Sequence, residues 1–422
     1  MRVGTTLLHP IRRPFHTTDM TDHSGSHTRA SSQSPVSYLP LYAANFLAGV
    51  VMISLGPVID AILTDLHIPL AQGGLLSVAF AVGMLAGLVL LNFFLAHVPV
   101  KWALVGASWV AAVALAVSAF LSFNLWSLFA AYLFVGLGCV WLNSLPGMWL
   151  SSTVKVRTGH RMVILLLYFA FGMTITPVVI GAVQGWGVTW RWIFGFEAAL
   201  SVLLALLLTA VPISNITGRE NLRWRQVRDV VGYNPALFFG IMISGMLYVG
   251  AEFVLNVWLP KFTIDTFGTT KTLASQVVAL FWGGLVIGRL IVLTQTKRIP
   301  TSRLLMINAA GMAVFALGIA LSTSLPMVMV MAFLCGMGTS ASYPLIISFS
   351  ARFQGWHSGV VYCGMVMGSG FGRLIFPYVV GPIAETFGFR LAMGLAFVLA
   401  VAVSLLSLLL RRASGEALST QV

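Results

Sequence analysis

Twelve apolar stretches of about 20 residues, separated by short polar gaps, dominate this sequence. The hydrocarbon core of a bilayer is about 30 Å thick and needs about 20 apolar residues per helix, so each stretch is long enough to cross a membrane. Only 8% of the 422 residues are charged and 58% are hydrophobic, whereas about a quarter of the residues in a soluble domain are charged. The sequence therefore predicts an all-α polytopic membrane protein.

The predicted transmembrane helices form two sets of six, separated by the longest internal polar segment. The first set comprises residues 38–63, 72–95, 102–122, 125–150, 162–183 and 190–211. The second set comprises residues 236–259, 272–294, 303–322, 326–349, 359–380 and 390–410. The sequence thus predicts five regions: a tail (1–37), an N-terminal bundle (38–211), a linker (212–235), a C-terminal bundle (236–410) and a second tail (411–422).

The 24 Lys and Arg residues are distributed unevenly between the loops. With the N-terminus inside, 18 of them fall on the cytoplasmic side and four on the other side: Arg191, Lys261, Lys271 and Arg390. Because cytoplasmic loops carry the excess of positive charge, we predict that both termini are cytoplasmic and that the protein lies in the inner (plasma) membrane. Scattered basic residues do not form the single polar face of a nucleic-acid-binding protein, so no nucleic-acid partner is expected.

The first 37 residues are polar and lack the apolar core of about 7 to 15 residues that a secretory signal needs. We interpret this segment as a disordered cytoplasmic tail. An organelle transit peptide stays open as an alternative because the segment contains Arg and few acidic residues, and Met20 is an alternative start.

Metal, cofactor and catalytic signatures are missing from the sequence. Cys139, Cys335 and Cys363 lie inside apolar runs and lack the spacing of a zinc site or a disulfide framework. There is no P-loop fingerprint and no cluster of carboxylate, His or Cys residues at a membrane edge. We therefore expect no cofactor, no metal and no enzymatic activity.

Three pairs of predicted helices repeat the same residues at an offset of 200 or 201 positions. The matches are Phe80, Gly83 and Gly87 with Phe281, Gly284 and Gly288; Gly136 and Gly138 with Gly336 and Gly338; and Pro177 and Gly181 with Pro377 and Gly381. A nearly constant offset across three helix pairs indicates duplication of a six-helix unit. In transporters built from such parallel repeats, the binding site lies near the midplane between the halves.

Six segments of the sequence share a pattern with one family of transporters: SLGP at 54–57, LAQGG at 70–74, YVGAE at 248–252, NVW at 256–258, FWGGLVIGR at 281–289, and the stretch from Gly336-x-Gly338 to Tyr343-Pro344. Together they resemble the fucose-permease-like sugar transporters of the major facilitator superfamily. The resemblance covers about residues 40 to 410. It implies twelve helices in two parallel-repeat bundles that move a sugar or similar polyhydroxy solute by alternating access, with protons as a candidate coupling ion.

The sequence departs from this family in two places. The loop between the second and third helices usually carries an Asp-Arg pair, but residues 95–101 read LAHVPVK, and Thr296 stands near the acidic position in the matching loop of the second half. Fucose-type proton symporters resemble one another in a carboxylate on the fourth helix, where this chain has Asn143 as its central polar residue. The first departure predicts a weakened cytoplasmic latch in both halves, and the second weakens the case for proton coupling by the usual route.

Ionisable residues inside membrane helices are costly, about 2.5–3.5 kcal/mol each on insertion scales, so each indicates a functional site. Glu252 and Asn256 share a helical face, and Glu252 is predicted to accept solute hydroxyls or carry a proton, with a structural ion pair as the alternative. Arg373 lies deep in the eleventh helix and either binds an anionic group or pairs with Glu252. Arg289 is predicted to be a latch residue at the cytoplasmic end, and Asp60 a gate residue at the outer end.

Aromatic residues supply the other candidates for the solute site. Trp141, Trp282 and Tyr343 are predicted to stack on a sugar ring because they lie within the predicted helices. Trp258 is expected at the outer membrane interface, where Trp and Tyr concentrate. Glu197, near the outer end of the sixth helix, is expected to be solvated.

The sequence thus predicts a monomeric secondary transporter whose partners are a small solute, the lipid bilayer and, as a candidate, protons. An organic anion carrier or a metabolite or drug exporter of the same superfamily is the alternative, favoured if Arg373 is unpaired in the cavity. A transporter-like solute receptor is a further alternative, although the tails are short for an output domain. The substrate, the direction of transport and the coupling ion stay open.

Overall fold

The computed structural model describes residues 38–153, 158–213, 224–295, 298–353 and 357–414, and these residues are helical without any strand. The first half contains α1 (Leu39–Ile53), α2 (Leu55–Asp65), α3 (Leu70–Gly73), α4 (Leu75–His97), α5 (Val100–Phe120), α6 (Leu125–Thr153), α7 (Thr158–Gly185) and α8 (Trp190–Ala210). The predicted tail at 1–37, residues 415–422 of the predicted tail 411–422, and residues 214–223 of the predicted linker lie outside the described residues.

The second half follows a short amphipathic linker helix, α9 (Trp224–Tyr233). It contains α10 (Pro235–Phe267), α11 (Lys271–Gln295), α12 (Thr301–Leu321), α13 (Leu325–Thr339), α14 (Ser342–Ser348), a 3₁₀ turn (Phe349–Arg352), α15 (His357–Phe387) and α16 (Phe389–Ala413). Eleven of the described helical segments are long and apolar enough to cross a bilayer, and the bent pair α1 and α2 makes a twelfth when counted as one span. The predicted all-α polytopic fold is confirmed.

Proline explains two of the breaks within spans. Pro57 has no N–H to donate to the carbonyl of Ile53, and the chain bends by 42° between α1 and α2 at Ser54. Pro344 likewise leaves the carbonyl of Ser340 without its helical donor, and the tenth span is divided there into α13 and α14. Both prolines lie inside stretches that the sequence predicts as single spans, at 38–63 and 326–349.

Helix α10 is longer than predicted, because it continues through Pro260 to Phe267 and ends at Gly268, whose φ is 62°. Its start follows the expected chemistry, since the side chain of Asn234 accepts a hydrogen bond from the N–H of Leu237. The extension is held by packing, because Phe262 is fully buried. Tertiary contacts therefore outweigh the local cost of the proline.

Close helix contacts within each half confirm the internal repeat. A Cβ on Gly83 of α4 would lie 1.8 Å from the carbonyl oxygen of Leu133 in α6. At the matching position of the second half, a Cβ on Gly284 of α11 would lie 2.0 Å from the carbonyl oxygen of Phe333 in α13. Only glycine permits backbones to approach this closely, so the repeated glycines are packing residues.

The two halves meet at the end of the bundle that lies away from Tyr38 and Ser414, the first and last described residues. We call this end the far face and the opposite end the terminal face. At the far face the hydroxyl of Thr272 in α11 donates to the carbonyl of Gly181 in α7 at 2.8 Å. In α7, Val163 lies 18 residues, or about five turns, from Gly181 and on the same helical face. In α11, Leu290 lies at the same spacing from Thr272. Val163 and Leu290 are nevertheless 52% and 58% exposed. The seam between α7 and α11 is thus closed at the far face and open towards the terminal face.

Candidate functional site

A group of buried polar side chains lies along α10 in the second half. Glu252 is 7% exposed and Asn256, one turn further on, is 1% exposed. The indole N–H of Trp282 in α11 donates to Oδ1 of Asn256 at 3.2 Å. Within the described part of the chain, Nδ2 of Asn256 is sealed from solvent and has no hydrogen-bond partner. The structure therefore brings together Glu252, Asn256 and Trp282, which the sequence proposed as site residues.

Arg373 enters this group from α15. Its guanidinium carbon lies 4.7 Å from the centre of the Phe253 ring, a cation–π contact. Its Nε is buried and unpartnered among the described side chains. The positive charge of Arg373 acts on Glu252 and on Tyr343, but none of the ion pairs within 4.0 Å in the described residues joins Arg373 to Glu252. The two charges are therefore close without forming a direct ion pair.

Two tyrosines lie beside the charged pair. Tyr343, at the start of α14, packs against Tyr248 of α10 with ring centroids 6.2 Å apart. The hydroxyl of Tyr248 donates to the carbonyl of Thr339 at 3.3 Å. Tyr343 interacts electrostatically with Arg373 and Glu252 and is half-buried. The break between α13 and α14 thus positions an aromatic ring next to the charged residues.

Arg289 of α11 stabilises that break. Its Nε donates to the carbonyl of Ser340 at 3.2 Å, which is the carbonyl that Pro344 leaves without a helical donor. The charge of Arg289 also acts on Glu252 and Tyr248. The observed contact lies within the second half, and the latch role that the sequence suggested stays a prediction.

The candidates from the first half, Trp141 and Asn143, lie on α6, which also carries Cys139, a residue on which the charge of Arg373 acts. The indole N–H of Trp141 donates to the carbonyl of Gly87 at 2.7 Å, and its ring packs edge-on against Phe94. Trp141 therefore contributes to the contact between α6 and α4. Asn143, on the same helix, is half-buried. Among the described residues, neither side chain forms a hydrogen bond with Glu252. Their role in solute binding stays a prediction.

Asp60 lies at the far face between the halves. Its carboxylate is 2.9 Å from Nζ of Lys261 and 3.7 Å from Nζ of Lys271. Lys261 also pairs with Asp265 at 2.6 Å. Because Asp60 belongs to the first half and both lysines to the second, these ion pairs hold the far face closed, and this placement supports the predicted gate role.

Two expectations from the sequence are wrong. Trp258 is fully buried and donates to the carbonyl of Pro377 at 2.7 Å, so it joins α10 to α15 and does not mark the membrane interface. Glu197 is 2% exposed and is not solvated. The sequence did contain a sign that Glu197 is buried: it lies seven residues after the start of α8, on the same helical face as Phe194 and Ser201.

Comparison with known proteins agrees with this architecture. The family model of the Major Facilitator Superfamily matches residues 41–362. A glucose/galactose transporter of Brucella abortus biovar 1 (strain 9-941) is 31% identical over 156 residues, which is 36% of this chain and 36% of that protein. The match thus spans about a third of the length of this curated relative.

Solved structures extend the comparison over most of the chain. The crystal structure of a bacterial homologue of the human lysosomal transporter Spinster, inward-facing and unoccupied, has a TM-score of 0.73 and 14% identity and covers 90% of this chain and 96% of that one. The structure of a D-xylose–proton symporter has a TM-score of 0.69 and 16% identity and covers 88% and 97%. At sequence identities of 14% and 16%, the similarity to these structures shows a shared fold.

Two parallel six-helix bundles with a buried polar group beside their seam define a membrane transporter of the alternating-access class, not an enzyme. The match over residues 41–362 is more than half of the chain. The chain belongs to the Major Facilitator Superfamily.

Proposed function

We propose that this transporter carries a sugar or a similar polyhydroxy solute, with Glu252, Asn256 and Arg373 as the centre of its binding site. The observation that carries the proposal is that Nδ2 of Asn256 and Nε of Arg373 are buried without a hydrogen-bond partner in the described residues. Buried polar groups are normally satisfied, so unpartnered ones in a bundle point to an external partner. A polyhydroxy solute offers donors and acceptors on the same molecule.

The chemistry of the group suits a neutral solute. The carboxylate of Glu252 accepts hydrogen bonds from hydroxyl groups, and the free amide N–H of Asn256 donates one. The opposite charges of Glu252 and Arg373 offset each other, while Arg289, which also acts on Glu252, donates to the carbonyl of Ser340. A neutral solute adds no charge to this group. Tyr343 and Trp282 offer apolar faces for a sugar ring. The glucose/galactose transporter among its relatives supports the same solute class.

An organic anion is the second candidate, favoured by one observation. Nε of Arg373 is buried and unpartnered among the described residues, and no direct ion pair neutralises its guanidinium there. An anionic group would bind such a cation. A sugar is favoured if the guanidinium of Arg373 compensates Glu252, and an organic anion is favoured if it binds the solute.

Transport measured in proteoliposomes tests the proposal directly. The purified protein is assayed for exchange of glucose, galactose, fucose and xylose, and in parallel for exchange of lactate, succinate and a nucleoside. We expect saturable exchange of at least one neutral sugar. If exchange is confined to the organic acids, the substrate is an organic anion and the sugar proposal is wrong. Protein-free liposomes are the control.

Trp282 is expected to act by holding Asn256. Trp282→Phe keeps an aromatic ring but removes the N–H that binds Oδ1 of Asn256, so the amide rotates more freely. A net hydrogen bond contributes about 1 kcal/mol, and we expect KM to rise about 5-fold with little change in kcat. Trp126→Phe, at an exposed position of α6, is the matched control. An unchanged KM in the Trp282 variant would contradict this role.

We further propose that both termini are cytoplasmic, because 18 of the 24 basic residues lie on the terminal side. Cysteines introduced at Tyr233 in the linker helix and at Phe123 on the far face are both exposed. In intact cells an impermeant thiol reagent should label the Phe123→Cys variant and spare the Tyr233→Cys variant until the membrane is opened. The reverse pattern would invert the orientation.

A further inference from the structure

Glu197 of α8 is a second buried carboxylate, in the half of the molecule that the proposed solute site does not use. It is 2% exposed. Its Oε2 lies 3.3 Å from the hydroxyl of Ser54, whose single proton is shared between this carboxylate and the carbonyl of Val51 at 3.1 Å. Its Oε1 is sealed and has no hydrogen-bond partner in the described part of the chain. Glu197 therefore has only one hydroxyl to balance a full negative charge.

No cation faces this carboxylate among the described residues. Helix α8 packs against α5, α1 and α2, and α6 brings Tyr132 and Cys139 into electrostatic contact with Glu197. The other titratable groups on these helices are engaged elsewhere: Lys101 with the carbonyl of Thr209, Asp65 with Arg191, Asp60 with Lys261 and Lys271, and Tyr38 with Arg161, while Tyr42 stacks on Tyr168. The direct neighbours of Glu197 are thus neutral, and the charge of Arg373 acts on Cys139 rather than on Glu197.

A sealed, uncompensated carboxylate favours its protonated form. Removing an ionised carboxylate from water is unfavourable unless a cation or several donors replace the lost hydration. Ser54 supplies one donor, and the neutral rings of Tyr132 and Phe194 lie nearby. The closed arrangement in the structure therefore accommodates a neutral acid better than an anion.

Ser54 connects this carboxylate to the contact between the halves. It lies at the 42° bend between α1 and α2. Helix α2 carries Gly56, which packs on the backbone of Asn256, and Asp60, which pairs with Lys261. A change at the bend is transmitted through two turns of one helix to the residues that close the far face.

We propose that Glu197 is a proton-binding site that links protonation to closure of the far face. When the far face is open, the carboxylate is hydrated and ionised. On closure it takes one proton from water, an O–H bond forms at the carboxyl group, and the acid is sealed; on opening, that bond breaks and the proton returns to water. The inference deepens the proposed transport function, and it rests on two-state motion of the bundle, not on the identity of the solute.

The linkage predicts the sign of a pH effect. Because the closed form holds one more proton than the open form, acid favours closure and alkali favours opening. Spin labels at Leu121, just after α5, and at Leu321, the last residue of α12, measure the opening in a Cys363→Ser background; both positions are exposed and lie on the far face, one in each half. In the full-length protein in nanodiscs without solute, we expect the long-distance population to grow as the pH rises from about 5 to about 9.

Variants at the carboxylate test its role. Glu197→Gln cannot titrate and keeps the hydrogen bond from Ser54, so the far face should stay closed across the pH range. Glu252→Gln is the matched control at the other buried carboxylate and should keep the wild-type pH response. Ser54→Ala removes a donor to the ionised carboxylate and should move the midpoint of the pH-dependent opening to higher pH. This variant provides a second test if Glu197→Gln inserts poorly into the membrane.

Three outcomes would overturn the proposal: a wild-type distance distribution that does not change with pH, a pH response that survives in Glu197→Gln, or a response lost only in Glu252→Gln. Because the labels report distance without any solute, failure here is distinguishable from failure of the sugar proposal. The exchange assay decides that proposal separately.

Discussion

Glu252→Gln is expected to lower solute exchange at least 100-fold while the protein still inserts and folds. A hydrogen bond to a charged group contributes about 1.5–3 kcal/mol, and two such bonds from a carboxylate to solute hydroxyls exceed the roughly 2.8 kcal/mol that corresponds to 100-fold. Glutamine keeps the shape of Glu252 but removes its charge, and it leaves the charge of Arg373 uncompensated in the bundle.

A double-mutant cycle with Arg373→Ala separates the two roles of the arginine. If Arg373 compensates the charge of Glu252, the double variant should lose less activity than the sum of the two single losses. If Arg373 holds an anionic solute, the double variant should recover nothing and the preference should shift towards neutral solutes. Exchange kinetics and thermal unfolding of all variants measure both, with exposed Asp229→Asn as the control.

Strictly additive losses without a change in solute preference would exclude both roles. Wild-type exchange kinetics in Glu252→Gln would remove Glu252 from the site altogether. Either result would move the search to Asn143 and the polar residues of the first half.

Gly56→Ala is expected to impair transport strongly by preventing the two halves from meeting at the far face. A Cβ at this position would lie 2.1 Å from the carbonyl oxygen of Asn256, and a backbone atom cannot rotate away as a flexible side chain can. Helix α2 must therefore shift from α10 whenever the far face closes. We expect exchange to fall more than about 10-fold, because a shift of even 1.4 kcal/mol in the closing equilibrium is tenfold.

Matched glycines distinguish a closing defect from a folding defect. A Cβ on Gly283 of α11 meets no atom within 4 Å, so Gly283→Ala should behave as wild type. Gly83 packs inside the first half, 1.8 Å from the carbonyl of Leu133, so Gly83→Ala should reduce the folded yield. For Gly56→Ala, the labels at Leu121 and Leu321 should report a longer distance with the folded yield maintained. Normal exchange with an unchanged distance would refute the closing role.

Sequence patterns predicted the spans well because bilayer thickness imposes a length on every crossing helix. Eight of the predicted stretches correspond to single helices within about four residues at each end, for example 190–211 with Trp190–Ala210. The other four differ: α10 and α15 continue to Phe267 and Phe387, and the first and tenth spans are divided at Ser54 and Ser340. Proline alone does not decide whether a helix bends, breaks or continues, because that depends on which neighbour satisfies the freed carbonyl.

The candidate site was partly visible in the sequence. Four-residue spacing placed Glu252 and Asn256 on one helical face, and both are buried. The depth of Arg373 along its helix was also readable. What the sequence could not show is that Arg373 stacks on Phe253 without a direct ion pair to Glu252, because the meeting of α10 with α15 is a property of the packed bundle.

The sequence by itself determined the membrane-spanning helices, the duplication of six helices and the rarity of ionisable groups inside them, because these follow from local hydropathy and repeated residues. Only the tertiary structure decided which of those groups are compensated. Asp60 gains two lysines from the other half, whereas Glu197 is enclosed among neutral neighbours with one hydroxyl. Hydropathy is a property of the chain, but the electrostatic environment of a carboxylate is set by residues far away in sequence that pack against it.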